Sequence, residues 1–231
     1  MQLDTPLPKH RKISLSAGLL YLLTFVSIPT LALYTQVKSV NYIVGGGPDT
    51  AAIIGGILEI TIALAGISTA VVLYPILKKQ SETLALGLVA ARILESSTIF
   101  AGVAFILSIV SLRQAGVGTE LVPMGSTLTT LYDRIFLLGQ SFMPAIIDLI
   151  LGVMLYKSRL VPRALSVTGI IGAPVLLLGY VAILFGVIEQ HAPTAGLFAI
   201  PVALFEFMLG VWLVAKGFNQ KAVVELGSKT K

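Results

Sequence analysis

The chain alternates between long apolar runs and short polar connections. The apolar runs cover about 13 to 34, 51 to 77, 84 to 112, 126 to 156, 164 to 188 and 195 to 217. Each reaches the ~20 residues that a helix needs to cross about 30 Å of hydrocarbon. Because backbone groups cannot stay unpaired in lipid, runs of this length should be helices and not open strands. The pattern predicts an all-α polytopic transmembrane helix bundle of six spans, forming a single domain over residues 1 to 231.

Composition agrees with a membrane location. Hydrophobic residues make up 56% of the chain and charged residues only 12%, whereas roughly a quarter of the residues of a soluble domain are charged. The sequence contains no cysteine, which excludes a disulfide framework, thiolate metal ligands and a cysteine nucleophile. We expect no cofactor and no metal site, and the lipid bilayer is the expected partner.

The basic residues occupy alternate connections. One set comprises Lys9, Arg11, Lys12, Lys78, Lys79, Lys157, Arg159, Arg163, Lys216, Lys221, Lys229 and Lys231. The connections on the other side hold only Lys38 and Arg113. By the positive-inside rule, both termini are expected in the cytoplasm. The net charge of +5 therefore reflects topology, and no nucleic-acid partner is expected.

Several local features have ordinary structural interpretations. The first apolar run is too long for the 7 to 15 residues of a signal-peptide core, so we expect a retained span, although a cleaved start with five spans also satisfies the charge rule. The "GGGPDT" loop at 45 to 50 lacks the Lys and Ser or Thr of a phosphate-binding loop, and we expect a turn in which Asp49 or Thr50 caps the second span. Prolines at 29, 144, 174 and 201 fall inside the predicted spans and should kink them.

Charged side chains inside the predicted spans are the candidate functional feature. They are the carboxylates Glu59, Glu95, Asp133, Asp148 and Glu206, and the arginines Arg92 and Arg134. A charge at the centre of a membrane helix costs ~3 kcal/mol on insertion scales, so such residues need a reason to be there. Five acids against two arginines leave a formal charge of −3. At least one acid should therefore be protonated, exposed to water or matched by a cation.

Depth along the helices, at about 1.5 Å per residue, suggests how these groups pair. Glu206 falls at the midplane with no basic residue at its depth, and we expect it to be the acid without a partner. Arg92 and Asp148 have similar depths and could pair across helices. Glu59 and Arg134 could form a second pair nearer the outside.

Glu95 can also reach Arg92 within one helix, because residues three apart share a face. Gln140 and Ser141 add neutral partners near mid-depth. The candidate ligand- or ion-binding residues are Glu206, Glu95, Arg92, Glu59, Arg134, Asp148 and Gln140.

Three functions remain open from these residues. The first is binding or translocation of a small ligand, proton or cation by the carboxylate and arginine cluster. The second is an intramembrane enzyme acting on a lipid or isoprenoid, with Glu95 or Glu206 as general acid. The third is a structural or regulatory subunit in which the cluster only fixes helix packing. Catalytic residues stay unassigned, because His191 lies in a predicted outer loop and Ser141 lacks a nucleophile-elbow pattern.

Four stretches resemble a known bacterial membrane family. They are "AGLLYLLTFV" at 17 to 26, "LALGLVAARILES" at 84 to 96, "YKSRLVPRALSVTGIIGAPVLLLGY" at 156 to 180 and "EFMLGVWLVAKGF" at 206 to 218. Together they resemble the family catalogued as domain of unknown function 4386, nearly from end to end. The resemblance implies a six-helix protein of the bacterial cytoplasmic (inner) membrane and brings no activity with it. The "GGGPDT" loop and the Asp133 to Arg134 pair have no counterpart in the family pattern.

Overall fold

The fold is known from a computed structural model, which describes residues 8 to 45 and 47 to 228. The predicted all-α class is confirmed, since these ranges contain helices and turns and no strand. The helices are α1 (Lys9–Thr24), α2 (Thr30–Leu33), α3 (Thr50–Leu77), α4 (Glu82–Gln114), α5 (Val122–Phe136), α6 (Met143–Ser158), α7 (Arg163–Leu184), α8 (Pro193–Ala215) and α9 (Gln220–Ser228). A π-helical segment, Leu137–Phe142, joins α5 to α6 without a break.

Five helical segments of the described chain are long and apolar enough to cross a membrane. They are Thr50–Leu77, Glu82–Gln114, Thr119–Ser158, Arg163–Leu184 and Pro193–Ala215. On α3 the exposed side chains Ile57, Leu64 and Val71 follow one another at seven-residue spacing. Two helical turns separate such residues, so they share one outer face. An apolar face that no other helix covers is suited to contact with lipid acyl chains.

The first predicted span does not form one long helix. The run expected over 13 to 34 is a 16-residue helix, α1, followed by a 3-10 turn at Phe25–Ser27 and the single turn of α2. At 1.5 Å per residue α1 is about 24 Å long, shorter than the hydrocarbon core. Pro29 stands directly before α2 and has no N–H with which to continue a helical ladder. The described chain thus has five helical segments long and apolar enough to cross a membrane, and the predicted sixth span is not confirmed.

Helix α1 is nevertheless packed tightly into the bundle, between α3 and α8. A Cβ atom added to Gly18 would lie 2.7 Å from the carbonyl oxygen of Gly210 on α8, so only glycine allows this approach. Arg11 donates to the carbonyl oxygens of Leu213 at 2.9 Å and Val214 at 2.5 Å. These carbonyls belong to the last turn of α8, which has no helical donors for them. Arg11 therefore fixes the start of α1 to the end of α8.

The prolines predicted to kink the spans have different outcomes. Pro174 and Pro201 lie inside α7 and α8, as expected, and Pro75 is a third interior proline near the end of α3. Pro144 falls in the first turn of α6, immediately after the π-helical segment. A π-helical turn inside an α-helix changes the direction in which side chains point and is frequent at functional sites. This segment carries Gln140 and Ser141.

Candidate functional site

Arg92 is the centre of a buried charge cluster between α4 and α8. Its Nη1 lies 2.8 Å from Oε2 of Glu95 on the same helix, and its Nη2 lies 2.7 Å from Oε1 of Glu206 on α8. The Arg92 and Glu95 side chains are almost completely buried, whereas that of Glu206 is 16% exposed. The pairing of Arg92 with Glu95, three residues apart on one helix face, is confirmed. The expectation that Glu206 has no basic partner was wrong, because Arg92 reaches across from α4 to its depth.

Asp148 on α6 is the acid that lacks a partner. It is fully buried, and neither carboxylate oxygen has a hydrogen-bond partner among the described residues. Its electrostatic neighbours include Glu206, Arg92 and Glu95. The predicted ion pair between Arg92 and Asp148 does not form, since both Nη groups of Arg92 are engaged by the two glutamates. Arg92 Nε is also buried without a partner in the described chain.

Charge counting makes this cluster unusual. One guanidinium faces three carboxyl groups, so with all of them ionised the formal charge would be −2. An ionised carboxylate without hydrogen bonds in an apolar interior is so costly that the group takes up a proton instead. With Asp148 as the neutral acid, the formal charge falls to −1. Glu206, the only partly exposed carboxylate of the four-residue cluster, is the place where this charge reaches open space.

A second polar cluster surrounds Glu59 on α3. Its carboxylate accepts hydrogen bonds from the hydroxyl of Tyr132 at 2.6 Å, the hydroxyl of Tyr34 at 3.3 Å and Nε2 of Gln140 at 3.4 Å. The expected pair with Arg134 was wrong. Arg134 is exposed and forms no ion pair within the described ranges. The Glu59 carboxylate therefore accepts hydrogen bonds from three neutral side chains, which come from the turn after α2, from α5 and from the π-helical segment.

A cavity of about 820 Å³ lies between the α5 to α6 segment, α7 and α8. Its polar lining includes Gln140, Ser141 and Glu206, and its aromatic lining comprises Tyr132, Phe136, Tyr180 and Phe198. Ala199 and Ala203 of α8 line it and are exposed, so the cavity is accessible along this helix. Of the cluster around Arg92, only Glu206 contributes to the cavity wall.

The end of the cavity opposite Glu206 carries a polar group of its own. Lys38 Nζ lies 2.7 Å from Oδ1 of Asp133 and 4.3 Å from the ring centroid of Tyr132. His191 Nε2 lies 3.5 Å from the same Asp133 oxygen, and Gln190 donates to the Asp133 backbone carbonyl at 2.7 Å. Glu206 follows Pro193, the first residue of α8, by 206 − 193 = 13 positions, which is about 20 Å along the axis. We call the end of the cavity at Lys38, Asp133 and His191 the cavity mouth. The Glu206 carboxylate lies toward the other end.

The "GGGPDT" loop is held by an ion pair and does not behave as a simple cap. Asp49 precedes α3, but its side chain makes no capping hydrogen bond. Instead its Oδ1 accepts from Arg113 Nη1 at 2.8 Å and from the Tyr42 hydroxyl at 2.5 Å, and its Oδ2 accepts from Gln114 at 2.9 Å. Arg113 also donates to the carbonyl oxygens of Gly45 and Gly47. The hydrogen bonds, that from Tyr42 foremost, lower the pKa of the Asp49 carboxyl. We call these residues the loop clasp.

Several residues of the site were not predicted from the sequence. Tyr34 and Tyr132 were counted as apolar, and Lys38 and His191 as residues of exposed connections. The hydrophobic period of the sequence does not reveal a π-helical turn. Gly139, which stands close to a polar pair and a proline, is the available signal, since a Cβ atom at this position would lie 2.8 Å from Cβ of Thr98 on α4. Within the described ranges, no three histidine, cysteine or acidic side chains are arranged to hold a metal ion.

Comparison with known proteins identifies the family and goes no further. No curated protein and no solved structure matches the chain. The sequence profile described as "Domain of unknown function (DUF4386)" matches residues 16–217, which is most of the 231 residues and includes the whole Arg92 cluster and the cavity lining. The chain therefore belongs to the family of domain of unknown function 4386.

Proposed function

We propose that this protein binds a small organic cation with an apolar body, and that Glu206 is its counter-ion. The single observation that carries the proposal is the cavity of about 820 Å³ with Glu206 in its wall. Glu206 already shares Arg92 with Glu95, so the guanidinium neutralises only part of the charge of the two carboxylates. A positive ligand at Glu206 would give that carboxylate a counter-charge that it does not share with Glu95.

The rest of the lining supports an apolar body on that cation. Four aromatic rings line the cavity, and aromatic faces attract cations as well as apolar surface. An anionic ligand is disfavoured because the cation beside Glu206, Arg92, is buried and engaged by two carboxylates. Lys38 at the mouth is likewise engaged, by Asp133.

A titration of the purified protein in detergent with tetraphenylphosphonium tests the proposal. This probe is a permanent cation with an apolar body. We expect saturable binding by isothermal titration calorimetry, and no saturable binding of the neutral analogue triphenylphosphine oxide. Loss of a charge-assisted contact costs about 1.5 to 3 kcal/mol, so Glu206→Gln should weaken binding by roughly 10-fold to 100-fold.

Glu120→Gln is the matched control, because Glu120 is an exposed carboxylate outside the cavity. It should bind the probe as the wild type does, and empty micelles give the background from partition into detergent. Equal binding of cation and neutral analogue, or equal binding by wild type and Glu206→Gln, would overturn the proposal.

The membrane placement is part of the proposal. We place both termini in the cytoplasm of a bacterial inner membrane, with the loop clasp and the cavity mouth on the outer side. The support is the twelve-to-two distribution of basic residues between alternate connections and the five apolar helices. Translocation would in addition require a second opening toward the cytoplasmic ends of α6 and α8, so binding is the step we propose.

An intramembrane enzyme is the second candidate, because the cavity is accessible along α8 as a lipid substrate would require. General acid and base catalysis needs proton-transfer groups placed around one reacting bond. Glu206 and Asp133 both line the cavity, but they stand at its opposite ends. Glu95 and Asp148 are close to Glu206 but are not part of the lining. The arrangement therefore favours binding over catalysis.

A further inference from the structure

Asp148 and Arg92 both have unused hydrogen-bonding capacity in a fully buried position. Neither oxygen of Asp148 has a partner in the described chain, and the same is true of Arg92 Nε. Most buried polar atoms are hydrogen-bonded, so each exception asks for an explanation. Here an unpartnered carboxyl group has among its electrostatic neighbours an arginine that pairs with two other acids. A different pairing of the same groups is available.

We propose that cation binding at Glu206 moves Arg92 onto Asp148 and releases the Asp148 proton. This inference rests on the proposed function and adds a coupled proton to it. In the resting state Arg92 binds Glu95 and Glu206, and Asp148 is the neutral acid. In the bound state the organic cation takes the place of Arg92 on Glu206, and the guanidinium pairs with Glu95 and an ionised Asp148. The O–H bond of Asp148 breaks and its proton goes to water.

The exchange leaves the formal charge of the buried cluster unchanged. The resting cluster holds one guanidinium and two ionised glutamates, a formal charge of −1. The bound cluster holds one more cation and one more carboxylate, so its formal charge is again −1. When the ligand occupies Glu206, Arg92 loses one of its two carboxylate acceptors, and Asp148, whose oxygens are both unpartnered in the described chain, is the buried acceptor that can replace it. One cation therefore enters for one proton that leaves.

The groups around Asp148 allow no obvious substitute for Arg92. Its neighbours are Arg92 and Glu95 on α4, Glu206 on α8 and Tyr21 on α1. Helix α7 also packs against α6, but its titratable side chains, Arg163 and Tyr180, fall toward its two ends. Arg92 is the one cation in this set. Since arginine stays charged at all accessible pH values, the only proton that the exchange can release is that of an acid.

The number of protons released is measurable without any variant. Tetraphenylphosphonium carries no exchangeable proton, so a proton released on its binding comes from the protein. Calorimetric titrations in buffers of different ionisation enthalpy at one pH give the number directly, and we expect about one proton per bound cation. By linkage, the affinity of the wild type should rise by about tenfold per pH unit while the exchange operates.

Variants identify the source of the proton. Asp148→Asn should still bind the cation, more weakly, and release no proton, so that its affinity becomes independent of pH. Glu120→Gln is again the control, because Glu120 is an exposed carboxylate outside the cavity. It should release the same proton as the wild type.

Failures of the two proposals can be told apart. Absence of specific cation binding would overturn the proposed function and this inference with it. Cation binding that releases no proton would overturn the exchange and leave the binding site standing. Loss of proton release in Glu120→Gln, or normal release in Asp148→Asn, would also overturn the assignment to Asp148. Should Asp148→Asn fail to fold, the wild type decides the matter: about one proton must be released per bound cation, and the infrared band of the protonated Asp148 carboxyl group must disappear when the cation binds.

Discussion

Arg92 on α4 binds Glu206 on α8 at 2.7 Å, although the two residues are 114 positions apart in the chain. The same guanidinium binds Glu95 one turn away, at 2.8 Å. The cluster therefore links two spans through one arginine, and it places the only partly exposed carboxylate of the group at the cavity. The proposed cation site therefore shares this arginine with the contact between two helices.

Arg92→Gln should destabilise the protein by about 3 to 5 kcal/mol, because removing one member of a buried ion pair leaves the other charge unmatched. Arg134→Gln is the matched control, since Arg134 is exposed and unpaired within the described ranges. Its change should stay within ~0.5 kcal/mol. Thermal unfolding in detergent measures both, and equal effects of the two substitutions would contradict a buried cluster.

Tyr132→Phe should cost about 1.5 to 3 kcal/mol, the range for a hydrogen bond to a charged group. The lost hydroxyl donates to Glu59 at 2.6 Å, and no cation replaces it there. Tyr156→Phe removes a hydroxyl from a tyrosine that is 37% exposed, so its unfolding temperature should match the wild type. If Tyr132→Phe were as stable as Tyr156→Phe, Glu59 would not depend on this donor.

The loop clasp should make stability depend on pH in acid. The pKa of Asp49 is lowered, first by the hydrogen bond from Tyr42 and then by that from Gln114. A carboxyl group whose folded pKa is lowered stabilises the fold while it is ionised, and this contribution is lost as the pH falls below about 4.

Asp49→Asn removes the ionised form at every pH. The difference in unfolding temperature between wild type and Asp49→Asn should therefore be largest near neutral pH and should shrink toward pH values of about 3. Glu120→Gln, at an exposed position outside the clasp, is the control for general acid effects. A difference that stays constant across this pH range would show that the clasp is not held by the ionised carboxylate.

The sequence predicted the spans well where apolar length alone decides. Five of the six predicted runs correspond to helices α3, α4, α5 with α6, α7 and α8. The first run is not confirmed as a span, because apolar length alone does not show that its helix is divided by the 3-10 turn at Phe25–Ser27, ahead of Pro29. Lys38 lies in a predicted connection, where side chains are expected to be exposed. In the fold its side chain instead contacts Tyr132 and Asp133.

Which charges meet could not be predicted from depth. Depth along a span ignores rotation about the helix axis, the reach of a long side chain and differences in where each helix begins. Similar depths predict a pair of Arg92 with Asp148, but the guanidinium binds Glu95 and Glu206. Depth pairs Glu59 with an arginine, whereas its partners in the fold are neutral donors such as the hydroxyls of Tyr34 and Tyr132. Counting charged residues in the spans reveals a surplus of acids, but it does not show that the acid without a partner is Asp148.

Infrared spectroscopy should detect Asp148 as a neutral acid at neutral pH. The C=O stretch of a protonated carboxyl group is separate from the bands of carboxylates, and in a site without hydrogen bonds it lies at the high end of its range. We expect this band in the wild type, because neither Asp148 oxygen has a partner in the described chain and an isolated buried charge would be far more costly than a bound proton. It should disappear in Asp148→Asn and persist in Glu225→Gln, where an exposed carboxylate of α9 is replaced. A wild-type spectrum with no such band at neutral pH would mean that Asp148 is ionised, and the buried cluster would then need a cation other than Arg92.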